Sequence, residues 1–158
     1  MSETTDALVE KIAGVASGRG LTIALAESLT SGRVASALGA GPDASEWFCG
    51  GVVAYAPHVK FEVLGVTPGP VVTELCAREM AAGVASALGA DVTVALTGVG
   101  GPEPDEGEPP GTVYLATYAD GAITCRRLDL DGDPHSVVQR ATEAALEDLL
   151  ARLDELGP

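Results

Sequence analysis

Three short segments of this chain set hydroxyls, one amine and clustered glycines directly after runs of apolar residues. The first is AESLTSG, residues 26–32, which carries Ser28, Thr30 and Gly32. The second is VVAYAPHVK, residues 52–60, which carries Tyr55 and Lys60 and is followed by LGV at 64–66. The third is LTGVGGP, residues 96–102, which carries Thr97, Gly98 and Gly101 and is followed by GTVY at 111–114. Ligands of open α/β sheets sit at the carboxyl ends of strands, so three such turns can converge on one pocket. The groups suit a small molecule, met by hydroxyls, an amine and glycine backbone that allows close approach.

Other chemistries find no support. No GxxxxGK[ST] loop occurs, and GVGGPE at 98–103 starts like a dinucleotide fingerprint but ends in Glu103. There is no GxSxG elbow and no HExxH. The two histidines, His58 and His135, read as surface residues. The run EPDEGE at 103–108 reads as a solvated acidic loop rather than a cation site.

The elements that must hold these turns follow from periodicity. Asp6 to Ser17 places Leu8, Ile12, Val15 and Ala16 on one helical face, with Gly18 and Gly20 ending it. Leu21–Glu27, Cys49–Tyr55 and Asp91–Thr97 read as strands, the first and third of them nearly all apolar and therefore buried. Helices are expected over 32–38, over 58–64 with Pro57 in the first turn, and over 74–88 behind a Thr73 cap. Strands over 112–119 and 122–130 flank Asp120-Gly121, a hairpin signal. A last helix opens at Asp133 or Ser136 and carries Val137, Ala141, Ala145, Leu149, Leu153 and Leu156. The order predicts an α/β fold: a three-layer α/β/α sandwich with a mixed sheet, one domain with its core at about residues 6–156.

Composition limits the partners. The 158 residues hold nine Lys+Arg against 23 Asp+Glu, a net charge of −14, which disfavours nucleic acid and anionic membranes. The N-terminus lacks a basic region and an apolar core, and no stretch approaches a membrane span. Cys49, Cys76 and Cys125 are odd in number and widely spaced, as expected of reduced thiols in a cytoplasmic protein. Only two lysines stand against seven arginines. That acidic, lysine-poor balance predicts a high-salt cytosol, with greater thermal stability in molar KCl than in dilute buffer.

Taken in order, the three segments resemble the CinA C-terminal domain family, the nicotinamide mononucleotide (NMN) deamidases. The family pattern runs AESxTGG, a serine before Trp-Phe, GG-V-x-Y-S-N-x-x-K-x-x-x-LGV, V-S-x-x-V-A-x-E-M-A, TGIAGP and P-x-GTV. The match here extends from Ala26 to about Ala145. The resemblance implies hydrolysis of the NMN carboxamide to nicotinate mononucleotide and ammonia. It implies a small nucleotide substrate, no metal or organic cofactor, a stand-alone form and self-association, a dimer being expected.

The resemblance also distributes roles. Ser28 takes the nucleophile's position, with N-capping of the next helix as its alternative. Lys60 takes the base's position, its alternative being a solvated helix lysine. A lysine serves as base only when burial or nearby positive charge lowers its pKa, and the NMN pyridinium could supply such charge. Tyr55 would stack on the cationic ring or orient the base, or else pack in the core. Thr30 and Gly32 would offer a helix start to an oxyanion or phosphate. Thr97, Gly98 and Gly101 would approach substrate, the Thr97 hydroxyl as a donor, or simply form a tight turn. Ser45, before Trp47-Phe48, would bind substrate.

The chain also departs from the pattern. Ser31 stands for a glycine, Ala56-Pro57 for Ser-Asn and Gly100 for an alanine, and 67–72 is short. Where relatives often carry Gly-Asp-Arg and a second arginine, this chain has Pro134 and Val138. Arg140 lies on the wrong helical face to replace them, and Arg33 is the other arginine to consider. Two further functions therefore stay open: a non-catalytic pyridine-nucleotide-binding or regulatory relative, and an amidohydrolase for a different amide.

Overall fold

The computed structural model describes all 158 residues. Helix α1 (Glu3–Arg19) starts earlier than its apolar stripe suggests, because the Ser2 hydroxyl accepts the Thr5 N–H at 3.1 Å. It runs through Gly18 and ends at Gly20, whose φ of 65° suits a glycine cap. Strand β1 (Ile23–Glu27) is buried throughout. Helix α2 (Arg33–Gly39) follows, then a single turn, α3 (Ala44–Trp47), too short to be read from periodicity. Strand β2 (Phe48–Val53), α4 (Pro57–Leu64), α5 (Glu74–Leu88) and β3 (Val92–Gly98) come next. The Thr73 hydroxyl caps α5 by accepting the Cys76 N–H at 3.0 Å. Strands β4 (Thr112–Ala119) and β5 (Ala122–Asp129) form the hairpin, turning at Asp120 (φ 51°) and Gly121 (φ 76°). Helix α6 (Pro134–Glu155) closes the chain behind an Asp133 cap.

The five strands lie in the order β2-β1-β3-β4-β5. β1 pairs parallel with both β2 and β3, while β3–β4 and β4–β5 are antiparallel. The result is the mixed sheet of a three-layer α/β/α sandwich. Alternate strand residues feed opposite layers. Ile23, Leu25, Val94 and Leu96 pack with α1, α2 and α6, whereas Ala24, Ala26, Ala95 and Ala116 pack with α4 and α5. The small residues on the second face let α5 lie close to the sheet. A second close approach seats α4: a Cβ on Gly83 of α5 would fall 2.0 Å from the Leu64 carbonyl oxygen, so only glycine admits the end of α4 there. No helix is long and apolar enough to cross a membrane.

Candidate active site

Because β1, β2 and β3 are parallel, their carboxyl ends share one edge of the sheet. Ser28 leaves β1 there, Tyr55 follows β2, and Thr97-Gly98 end β3. The β3–β4 loop and the start of α6 reach the same edge. They enclose a cavity of about 360 Å³, lined among others by Ser28, Tyr55, Lys60, Thr97, Gly98 and Gly101. A Cβ on Gly98 would meet the Thr112 carbonyl oxygen at 2.4 Å, so glycine is what lets the β3 end lie against β4.

Lys60, 1% exposed, projects from α4 to the cavity floor. Its Nζ lies 2.9 Å from Ser28 Oγ, 2.7 Å from the Ala54 carbonyl and 3.2 Å from the Tyr55 carbonyl. No carboxylate lies within ion-pair distance of it. This geometry accommodates the neutral amine. Nζ donates to the two carbonyls and to Ser28 Oγ; a neutral amine keeps the two carbonyl bonds and can accept the Ser28 proton on its lone pair instead. Burial lowers the Lys60 pKa from its ordinary 10.5, opposed by Cys76, Glu106 and Asp105. Of these, Cys76 carries no charge at neutral pH, since burial raises its thiol to about 11 against the nearby Lys60 charge and a hydrogen bond with Thr97.

The turn that carries Ser28 is held by a group that the sequence reading did not assign. Glu27 is fully buried. Its Oε1 accepts from the Thr30 hydroxyl at 2.6 Å and the Val34 N–H at 2.9 Å, and its Oε2 accepts from the Ala35 N–H at 2.9 Å. A carboxylate thus fills the start of α2 and fixes the backbone on both sides of Ser28. The available signal was an acid at the end of an otherwise apolar strand, a position where a charge needs partners.

Several expected roles change accordingly. Ser28 does not cap α2: the cap is Gly32 (φ 101°), and Glu27 takes the helix amides. Thr30 and Gly32 lie behind the cavity rather than on its wall, and the Thr30 hydroxyl is committed to Glu27, so this helix start is closed to an oxyanion or phosphate. Thr97 lines the cavity but donates its hydroxyl to the Val71 carbonyl at 2.8 Å, which removes it as a substrate donor. Tyr55 is no core aromatic; its side chain is 68% exposed at the rim, and its carbonyl orients Lys60. Ser45 is exposed on α3, against the α1 layer and outside the cavity wall. Arg33 lines a separate cavity with His135, and Arg140 donates to the Asp131 carbonyl. Pro134 and Val138 do line the site.

A three-layer α/β/α domain with a buried serine–lysine pair at the carboxyl ends of parallel strands defines the structural class. The chain belongs to the CinA C-terminal domain family, whose model matches residues 5–153. It is 41% identical over 154 residues to a CinA-like protein of Frankia casuarinae and 35% identical over 153 residues to a putative competence-damage inducible protein of Bacillus velezensis. Those matches take in 94% of this chain but only 35% and 37% of the relatives, so the chain spans little more than a third of their length. Among solved structures, a CinA superfamily protein from Klebsiella pneumoniae superposes with a TM-score of 0.92 at 34% identity, covering 96% of this chain and 98% of that one. A competence/damage inducible protein from Agrobacterium tumefaciens gives 0.92 at 29%, covering 98% of both chains.

Proposed function

We propose that this domain is an amidohydrolase that converts the carboxamide of an N-ribosylated pyridinium, NMN or its riboside, to the carboxylate, releasing ammonia. The observation that supports it most is the 2.9 Å contact between Lys60 Nζ and Ser28 Oγ, made by an amine with no carboxylate partner. In this reading neutral Lys60 takes the Ser28 proton as Oγ attacks the carboxamide carbon. The backbone N–H groups of Gly100 and Gly101, which have no protein partner, stand on the same wall and are suited to the developing oxyanion. The C–N bond breaks as the Lys60 ammonium returns its proton to the leaving nitrogen, so ammonia departs and Ser28 holds the acyl group. Water, deprotonated by Lys60, then releases the acid and restores the hydroxyl. A bound pyridinium would favour the neutral amine further, since like charges disfavour protonation. The exposed Tyr55 ring at the rim can lie against that cation.

Ammonia release from NMN and its dephosphorylated riboside, in molar KCl, tests the reading. Turnover is expected with the native chain and not with Ser28→Ala or Lys60→Gln. Full activity in both variants would sink the pair, and saturable binding without ammonia would assign a binding role instead.

A further inference from the structure

We propose that this site selects against a phosphate on its substrate and takes the phosphate-free pyridinium ribonucleoside carboxamide in preference to the nucleotide. This rests on the amidohydrolase reading and names its substrate class. The charges lining the cavity carry the argument. Lys60 is its one basic side chain, and the Lys60 nitrogen is already engaged by Ser28 and two carbonyls. No arginine lines it. The wall contributed by α6 is Pro134 and Val138, which can neither donate a hydrogen bond from their side chains nor carry charge. The start of α2 is filled by the Glu27 carboxylate, and the free amides of Gly100 and Gly101 are those the carboxamide oxygen would take.

Against this stand Glu103 and Asp105, both on the cavity wall. Neither forms an ion pair; the nearby Arg127 is taken by Glu108 and Asp129. Beside them Glu106 accepts the N–H groups of Val71 and Val72, which fixes the acidic loop over the site. A pyridinium cation is attracted by these carboxylates. A phosphate dianion on the same ligand is repelled by them and meets no counter-charge. One pair of unit charges several Å apart changes affinity by roughly three- to a hundredfold, depending on the local dielectric. The cation-only ligand should therefore win by a clear margin, and salt should shrink that margin.

The test is kcat/KM for ammonia release from nicotinamide riboside and from NMN, in low salt and in molar KCl. It is run on the native chain and on the double variant Glu103→Gln/Asp105→Asn. The expected result is a preference for the riboside of about tenfold or more in low salt. That preference should fall several-fold in the double variant and in molar KCl. An equal or higher value for NMN in the native chain overturns the proposal, as does a ratio that the double variant leaves unmoved. Failure of the hydrolase reading looks different: neither compound yields ammonia, or Ser28→Ala keeps full turnover. Calorimetric binding of the same two compounds then decides the preference, tighter riboside binding supporting it and equal or tighter NMN binding overturning it.

Discussion

The floor and the rim of the cavity handle charge in opposite ways. At the floor Lys60, and behind it Glu27, are both withdrawn from water, and each is surrounded by close hydrogen-bond partners. On the rim, Glu103 and Asp105 are exposed and unpaired. A buried group acts through its position and is little touched by salt. An exposed group acts through its field, which salt screens. Under the proposed hydrolase reading the two layers would divide the work: the floor would set the reaction geometry, and the rim would set which ligands approach.

The largest effect is expected on the floor. Lys60→Arg keeps a cation but cannot give a neutral base, so turnover should fall by about a thousandfold, in the range of losing general-base assistance. Lys60→Met should do the same, and stopped assays of ammonia would show it. Activity surviving in Lys60→Arg would contradict the base role. Next is Glu27→Ala, which strands the Thr30 hydroxyl and two helix amides in the interior. It should cost on the order of 3 kcal/mol of stability, readable by denaturant unfolding. A variant as stable as the native chain would mean that water replaces the carboxylate.

A smaller loss, about 2 kcal/mol, is expected for Gly83→Ala, because the added Cβ would press the Leu64 carbonyl and push α4 away. Its kcat should drop with it, since α4 carries Lys60. Unchanged kcat at reduced stability would show that the floor tolerates a shift of its base.

The smallest effect joins floor to rim through pH. If Lys60 acts neutral, kcat/KM rises as pH climbs through its folded pKa, which burial places below 10.5. Asp105→Asn removes an anion that favours the charged amine, so that limb should move to lower pH. Stability carries the same sign. Between the folded pKa and 10.5 the unfolded chain binds the extra proton, so the native chain gains stability as pH rises, and Lys60→Met lacks that gain. A limb unmoved in Asp105→Asn would separate the rim from the floor.

Much of this arrangement was legible in residue order. The apolar runs before Ser28 and Thr97 marked buried strands, and the turns after them marked where a site could form. The Thr73 cap and the Asp120-Gly121 hairpin were readable because capping and turn chemistry are local. What stayed hidden depends on partners far along the chain. Whether the Thr97 hydroxyl was free turned on Val71, brought alongside by the loop before α5. The placement of Thr30 and Gly32 turned on Glu27, which could as easily have pointed to solvent. The turn α3 is too short to show a helical period, and so Ser45 was read by its neighbours rather than by its layer.

Sequence alone determined the layered fold, the three polar turns and the strong acidity, because periodicity, turn chemistry and composition act over a few residues or over the whole chain at once. The fold alone decided that a lysine on α4 would lose its water and reach the hydroxyl at 28, and that unpaired acids would stand over both. Those outcomes depend on burial and on distances across parallel strands, which exist only once the sheet has assembled.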